Sequence, residues 1–273
     1  MASYSKSDKA QYDQAIKGPK AEIEAANKRL KEVMAKKKSL PNVAPYYNLE
    51  MVMDHINITM LYMNMWDASA ELLKMQNSAL LESAKKEFYK ILPLIEEIVG
   101  TDIDKPLVEN KESLKKIENI TIRQILELSR KILFVFETIR DKTGENNKFK
   151  WSFVDLYVRI ATLIKNCINF SDIEKYRDMR NPFFKDRNEL IKLCKGTLED
   201  AARQARQKYE MTGLAPGEMK KAIDLMSVLR KINVLFGDTD EAQKNKIQID
   251  ALKARLEEEE KKKDKASKPQ PKK

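Results

Sequence analysis

Glycine is scarce in this chain, and the scarcity constrains its fold more than any motif does. Seven glycines occur in 273 residues, at positions 18, 100, 144, 196, 213, 217 and 237, where the usual ~7% would place about 19. Few positions can therefore demand a positive φ beyond helix caps. Each glycine falls where a helical pattern starts or stops, so the chain is expected to be all-α, a multi-helix bundle of roughly eight to ten helices. The same scarcity removes phosphate-cradling loops: Gly213-x-x-x-Gly217 is interrupted by Pro216 and is too poor a match to count. No window alternates strongly enough to predict a strand, and no repeat of fixed period is present.

Residues 1–18 are expected to be a flexible N-terminal segment. Pro19 suits the first turn of an N-terminal amphipathic helix over 19–39, with Ile23, Ala26, Leu30 and Val33 as its stripe. Pro41 and Pro45 predict an extended linker over 40–47. A helical core domain should span 48–237. In it, Asn48 caps a helical region reaching Val99, interrupted near Asn77-Ser78, with Gly100 as its stop. Thr121 and Gln124 form a capping box, and Ser152 with Asp155 resembles another. The two helices they open, 122–141 and 153–170, are apolar almost all round and read as a central antiparallel pair. Ser171 and Asp186 look like further caps beside Asn181-Pro182, and Gly196-Thr197 like a helix start. A charged helix over 238–262 carries Asn245, Ile249, Leu252 and Leu256 on one side, and 263–273 reads as a disordered basic tail. Both terminal helices show the narrow stripes of short coiled-coil seams, usable for self-association or for docking within the chain.

Seven of the twelve methionines lie between residues 34 and 75. After Asn48, one stripe (Leu49, Met53, Ile56, Met60, Met63) yields beyond Met63 to a second (Leu61, Met65, Ala68, Leu72, Met75), which predicts a change of neighbour along the helix. Methionine's flexible thioether suits exchangeable contacts. As a partner-binding face, the exposed candidates are Met51, Ile58, Tyr62 and Met65. The same spacing also describes a central helix packed from two sides within its own chain.

Catalytic constellations are poorly represented. His55 is the only histidine, no Glu-x-x-His occurs, and no metal site or cofactor is expected. Cys167 and Cys194 read as two free thiols in helices. No residue is nominated for catalysis. The formal charge of +10 is unevenly spread, with a surplus of basic residues in 1–39 and of acidic ones in 40–99. Arg177, Arg180, Lys185 and Arg187 surround Phe183 and Phe184, which gives an alternative role in sequence-independent nucleic-acid binding. No apolar run approaches the length of a transmembrane helix, and the polar start carries no secretory signal, so a cytoplasmic location is expected. The leading expectation is a non-enzymatic adaptor or scaffold that binds other proteins through helix faces.

Overall fold

Eleven α-helical segments and three short 3-10 turns order the residues described by the computed structural model, 4–144, 150–213 and 215–267, and no strand occurs among them. The protein is an all-α, multi-helix structure. By contacts it divides into two compact units, Met1–Gly100 with Glu109–Lys150, and Thr101–Val108 with Trp151–Lys273. That division cuts through the single core expected over 48–237.

In the first unit, α1 (Lys6–Ser39) begins well before Pro19. Ser5 and Asp8 form a capping box, with the Ser5 hydroxyl accepting from the Asp8 amide at 3.1 Å and the Asp8 carboxylate accepting from the Ser5 amide at 2.8 Å. Residues 6–18 are therefore helical rather than flexible, and Gly18 and Pro19 lie inside the helix. After the turn Pro41–Val43, α2 (Ala44–Leu72) starts where a linker was expected, because Pro45 suits a first helical turn. α3 (Ser78–Phe88) is capped by Asn77, and α4 (Ile91–Val99) ends on Gly100 at φ +84°. The single turn α5 (Asn110–Leu114) precedes α6 (Ile122–Thr143), whose capping box at Thr121 and Gln124 forms as expected.

α2 is the centre of this unit. Ile16, Ile23, Ala26, Leu30 and Val33 of α1 pack in one cluster with Met51, Ile58 and Met65 of α2. The α1 members recur at sevens, threes and fours and the α2 members at sevens, which is the repeat of a coiled-coil seam. Val52, Ile56, Thr59, Met63 and Trp66 bury a different side of α2, which also packs on α3, α4 and α6. The rows that form differ from the two expected: α1 follows Met51, Ile58 and Met65, while elsewhere on α2 the neighbour changes along the helix, from α4 at Asn48 to α6 at Trp66 and Asp67. Asp54 lies in the seam, buried, and Arg29 grips it with Nε 3.0 and 2.9 Å from its two oxygens and Nη2 closing a second contact. A paired charge in an otherwise apolar seam admits one register.

The second unit comprises α7 (Lys150–Asn166), the single turn α8 (Glu174–Arg177), α9 (Phe184–Met211), α10 (Pro216–Phe236) and α11 (Thr239–Ser267). α6 and α7, expected as a central pair, thus fall in different units. Asp186 and Gly196 lie inside α9 rather than opening separate helices. α11 docks on α10 with Ala242, Asn245, Ile249, Leu252 and Leu256 buried, and Asn233 donates to Asn245 at 2.9 Å across the seam. Helix α11 continues to Ser267, further than expected; the rest of the tail, 268–273, lies outside the described residues. Both terminal helices therefore place their apolar stripes on their own chain.

Candidate functional site

α1 carries a second row beside its seam. Asn27, Lys31, Met34 and Lys38 recur at four, three and four residues, so they share one face over about 16 Å of helix. α4 presents Lys90, Leu94 and Glu97 at the same spacing. With Leu30 and Lys37, and with Met51 and His55 of α2, these residues line a groove of about 680 Å³. The groove is walled by two helices and floored by a third, all within the first unit. Its floor and walls are apolar at Leu30, Met34, Met51 and Leu94, and Met34 is half exposed.

Ionic ties mark its two ends. At one, Lys37 donates to Glu97 at 2.6 Å, and the Asn48 amide donates to the same carboxylate oxygen at 2.8 Å and to the Leu94 carbonyl at 2.9 Å. The Lys37 hydrogen bond, aided by Asn48, holds the Glu97 carboxyl below its usual range against the opposing effect of burial. At the other, Glu87 of α3 lies 2.9 Å from His55 Nδ1 and accepts from Lys90 at 2.7 Å. Burial alone would raise the Glu87 carboxyl, but hydrogen bonds from His55 and Lys90 outweigh it and leave the group lowered. Lys31 and Lys38 stand exposed along the rim. An apolar trough edged by cations can hold an amphipathic, negatively charged ligand.

The four residues expected to form an exposed partner face are placed differently. Met51, Ile58 and Met65 are 3%, 0% and 3% exposed, and Tyr62 is partly buried against the same cluster. α1 covers them, because its stripe at Ile16, Ile23, Ala26, Leu30 and Val33 is complementary to theirs. Only Met51 also reaches the groove. The basic corner is divided in its roles. Arg177 donates to the Leu235 carbonyl at 3.4 Å, and Arg187 to Asn181 Oδ1 at 2.7 Å and to the Pro182 carbonyl. Arg180 pairs with Asp178 at 3.1 Å but is exposed, as is Lys185. Cys167 and Cys194 are free thiols, and burial pushes Cys194 up to about 12. No group of three or more His, Cys, Asp or Glu among the described residues is placed to hold a metal ion, and no helix there is long and apolar enough to cross a membrane.

The groove residues do not stand out in the sequence because Leu30 and Val33 already explain α1 as amphipathic. The available signal was Met34, an apolar residue outside that stripe with lysines one turn to either side. Lys165 left a plainer one, a lysine flanked by Leu163, Ile164, Cys167 and Ile168. It is fully buried in α7, and its ammonium donates to the carbonyls of Ile103 at 2.8 Å, Asp102 at 3.3 Å and Lys105 at 3.4 Å. Burial pulls it down to about 8. This side chain ties the connecting segment 101–108 to the second unit.

A family model, that of the TP0443 family, matches residues 8–260. No curated protein and no solved structure matches the chain.

Proposed function

The chain belongs to the TP0443 family, a membership that names no activity, and from the geometry we propose that it acts by binding other proteins, as a non-enzymatic adaptor or assembly component. The surface is the groove between α1 and α4 rather than the methionine face of α2. The observation that carries this reading is the pair of period-matched rows, 27/31/34/38 and 90/94/97, flanking an apolar floor at Met51. Rows at spacings of three and four on facing helices form the kind of trough into which the ridges of a further helix pack. The α1/α2 seam is an example within the same unit of methionines receiving a helix.

A photo-crosslinking residue at position 34 tests the proposal in native lysate treated with nuclease. Discrete protein adducts, absent when the same residue is placed at the exposed position 24 on another face of α1, are expected. A lysate in which position 34 captures nothing beyond position 24 sinks the proposal.

A second reading, sequence-independent nucleic-acid binding at the corner 177–187, draws on the exposed Arg180 and Lys185 beside the partly exposed Phe183. Because Arg177 and Arg187 are already bonded to backbone and Asn181, the positions left for phosphate are few. Salt-sensitive retention on single-stranded DNA, lost in R180E/K185E, would favour it; retention unchanged by that double substitution would end it.

A further inference from the structure

We infer that the groove takes an acidic amphipathic helix of about three turns, an inference that rests on the protein-binding reading and names the partner's chemistry. Length, shape and charge each contribute. The α1 row from Asn27 to Lys38 extends for about 16 Å, which is about eleven residues of a docked helix. The lining is apolar at Leu30, Met34, Met51 and Leu94, but Leu30 and Met51 are 6% and 3% exposed while Met34 is half exposed, so the apolar contact is short and centred on Met34 and Leu94, which suits a short helix rather than a longer one. Met34 and Met51 both line the trough, and methionine adapts to different anchor shapes.

Charge selects the class. Four lysines and one glutamate line the groove. Lys37 and Lys90 are tied to Glu97 and Glu87, so two carboxylates are already matched. Lys31 and Lys38 project from α1, one turn to either side of Met34, with exposed ammonium groups. A docked helix with carboxylates flanking its apolar stripe would meet these two cations one turn from each side of the Met34 contact. A helix with basic flanks would set like charges together at the same places. The selection is local to α1: the floor and the other wall come from the acidic stretch 40–99, and the lining carboxylate there, Glu97, is already paired with Lys37.

The test uses the full chain and two synthetic, end-capped, fluorescein-labelled helices of about twelve residues, with identical leucine stripes and flanks of either glutamate or lysine. Anisotropy titration at moderate salt should show the glutamate-flanked helix binding. K31E/K38E should weaken it at least about fivefold, and raising the salt should weaken it likewise. Both substituted positions are exposed, so circular dichroism should be unchanged; M34S, which alters no charge, should lower affinity for the same peptide. Equal binding of both peptides, or glutamate-peptide binding indifferent to K31E/K38E, overturns the acidic class. Preference for the lysine-flanked helix overturns it too, while leaving helix docking intact. Binding of neither peptide up to millimolar concentration overturns both this inference and the groove as a protein-binding surface. Vesicles of phosphatidylglycerol that displace the peptide, with the same dependence on Lys31 and Lys38, would overturn the helix in favour of an anionic lipid surface.

Discussion

Arg29 and Asp54 make one ion pair from unequal partners. The Asp54 side chain is 6% exposed and that of Arg29 is 50% exposed. Loss of the arginine strands a carboxylate in the seam, whereas loss of the carboxylate leaves a guanidinium that can turn to water. R29M should therefore cost about 1–3 kcal/mol and D54N less than about 1 kcal/mol in urea unfolding. The opposite order would mean that the pair does not set the register of α1 on α2. Lys165 poses a different question of charge. Its folded-state value, lowered to about 8 from an ordinary 10.5, means that between these values the unfolded chain holds more protons at this site. Its contribution to stability must then rise as pH rises through that window and be lost as pH falls back towards 8. Subtracting the pH dependence of K165M from that of the native chain isolates this slope, which should be positive between about pH 8 and 10.5. K165M also leaves the carbonyls of residues 102, 103 and 105 without this donor. It should cost about 1–3 kcal/mol at neutral pH and quicken proteolysis within 101–108; unchanged protection of that segment would show that the lysine does not hold it.

Among the elements, α1 tolerates two residues that oppose a helix. Gly18 and Pro19 lie inside it, where glycine loses more chain entropy on folding than alanine and proline supplies no amide hydrogen. The helix persists because the capping box at Ser5 anchors its start and Ile16 buries its first half against α2. A Cβ at Gly18 meets open space and needs no positive φ. G18A should thus stabilise by about 1 kcal/mol, and P19A by up to about 3 kcal/mol, read as higher melting temperatures. A lower temperature for G18A would show that the break serves a bend the helix requires. The element that defines the groove was only half legible in the sequence. Ile23, Ala26, Leu30 and Val33 announce a seam, but Lys31 and Lys38 look like ordinary solvated charge until α4 stands opposite them. Gly196 misled in the other direction: glycine commonly ends helices, yet the packing of Leu190, Ile191, Cys194, Leu198, Ala201 and Ala202 carries α9 through it.

For the molecule as a whole, acid should be the weak side. Glu87 and Glu97 in the first unit and Asp155 in the second all have carboxyls held below their usual range. Burial would raise Asp155, but hydrogen bonds from Lys208 and Lys221 prevail. A carboxyl lowered on folding contributes stability that is complete above its unfolded value and lost as pH falls through its folded one. Melting temperature should therefore be flat near neutrality and fall from about pH 5 to pH 3. E87Q should flatten part of that fall, and a profile identical to that of the native chain would show that the His55 and Lys90 contacts do not bias folding.

The sequence by itself determined that this chain is helical and where many helices stop, because caps and i, i+4 stripes are written in residues close together. Thr121 with Gln124, and Gly100, Gly144 and Gly237 as terminators, are such local instructions. Only the tertiary structure decided which apolar stripe covers which. The Met51, Ile58 and Met65 face would have suited any complementary helix from this chain or another; α1 takes it because it lies a short turn away, matches its repeat and supplies Arg29 for Asp54. Once α1 is seated there, its neighbouring row of Asn27, Lys31, Met34 and Lys38 becomes the wall of a groove, a consequence of pairing between distant residues that spacing along one helix does not encode.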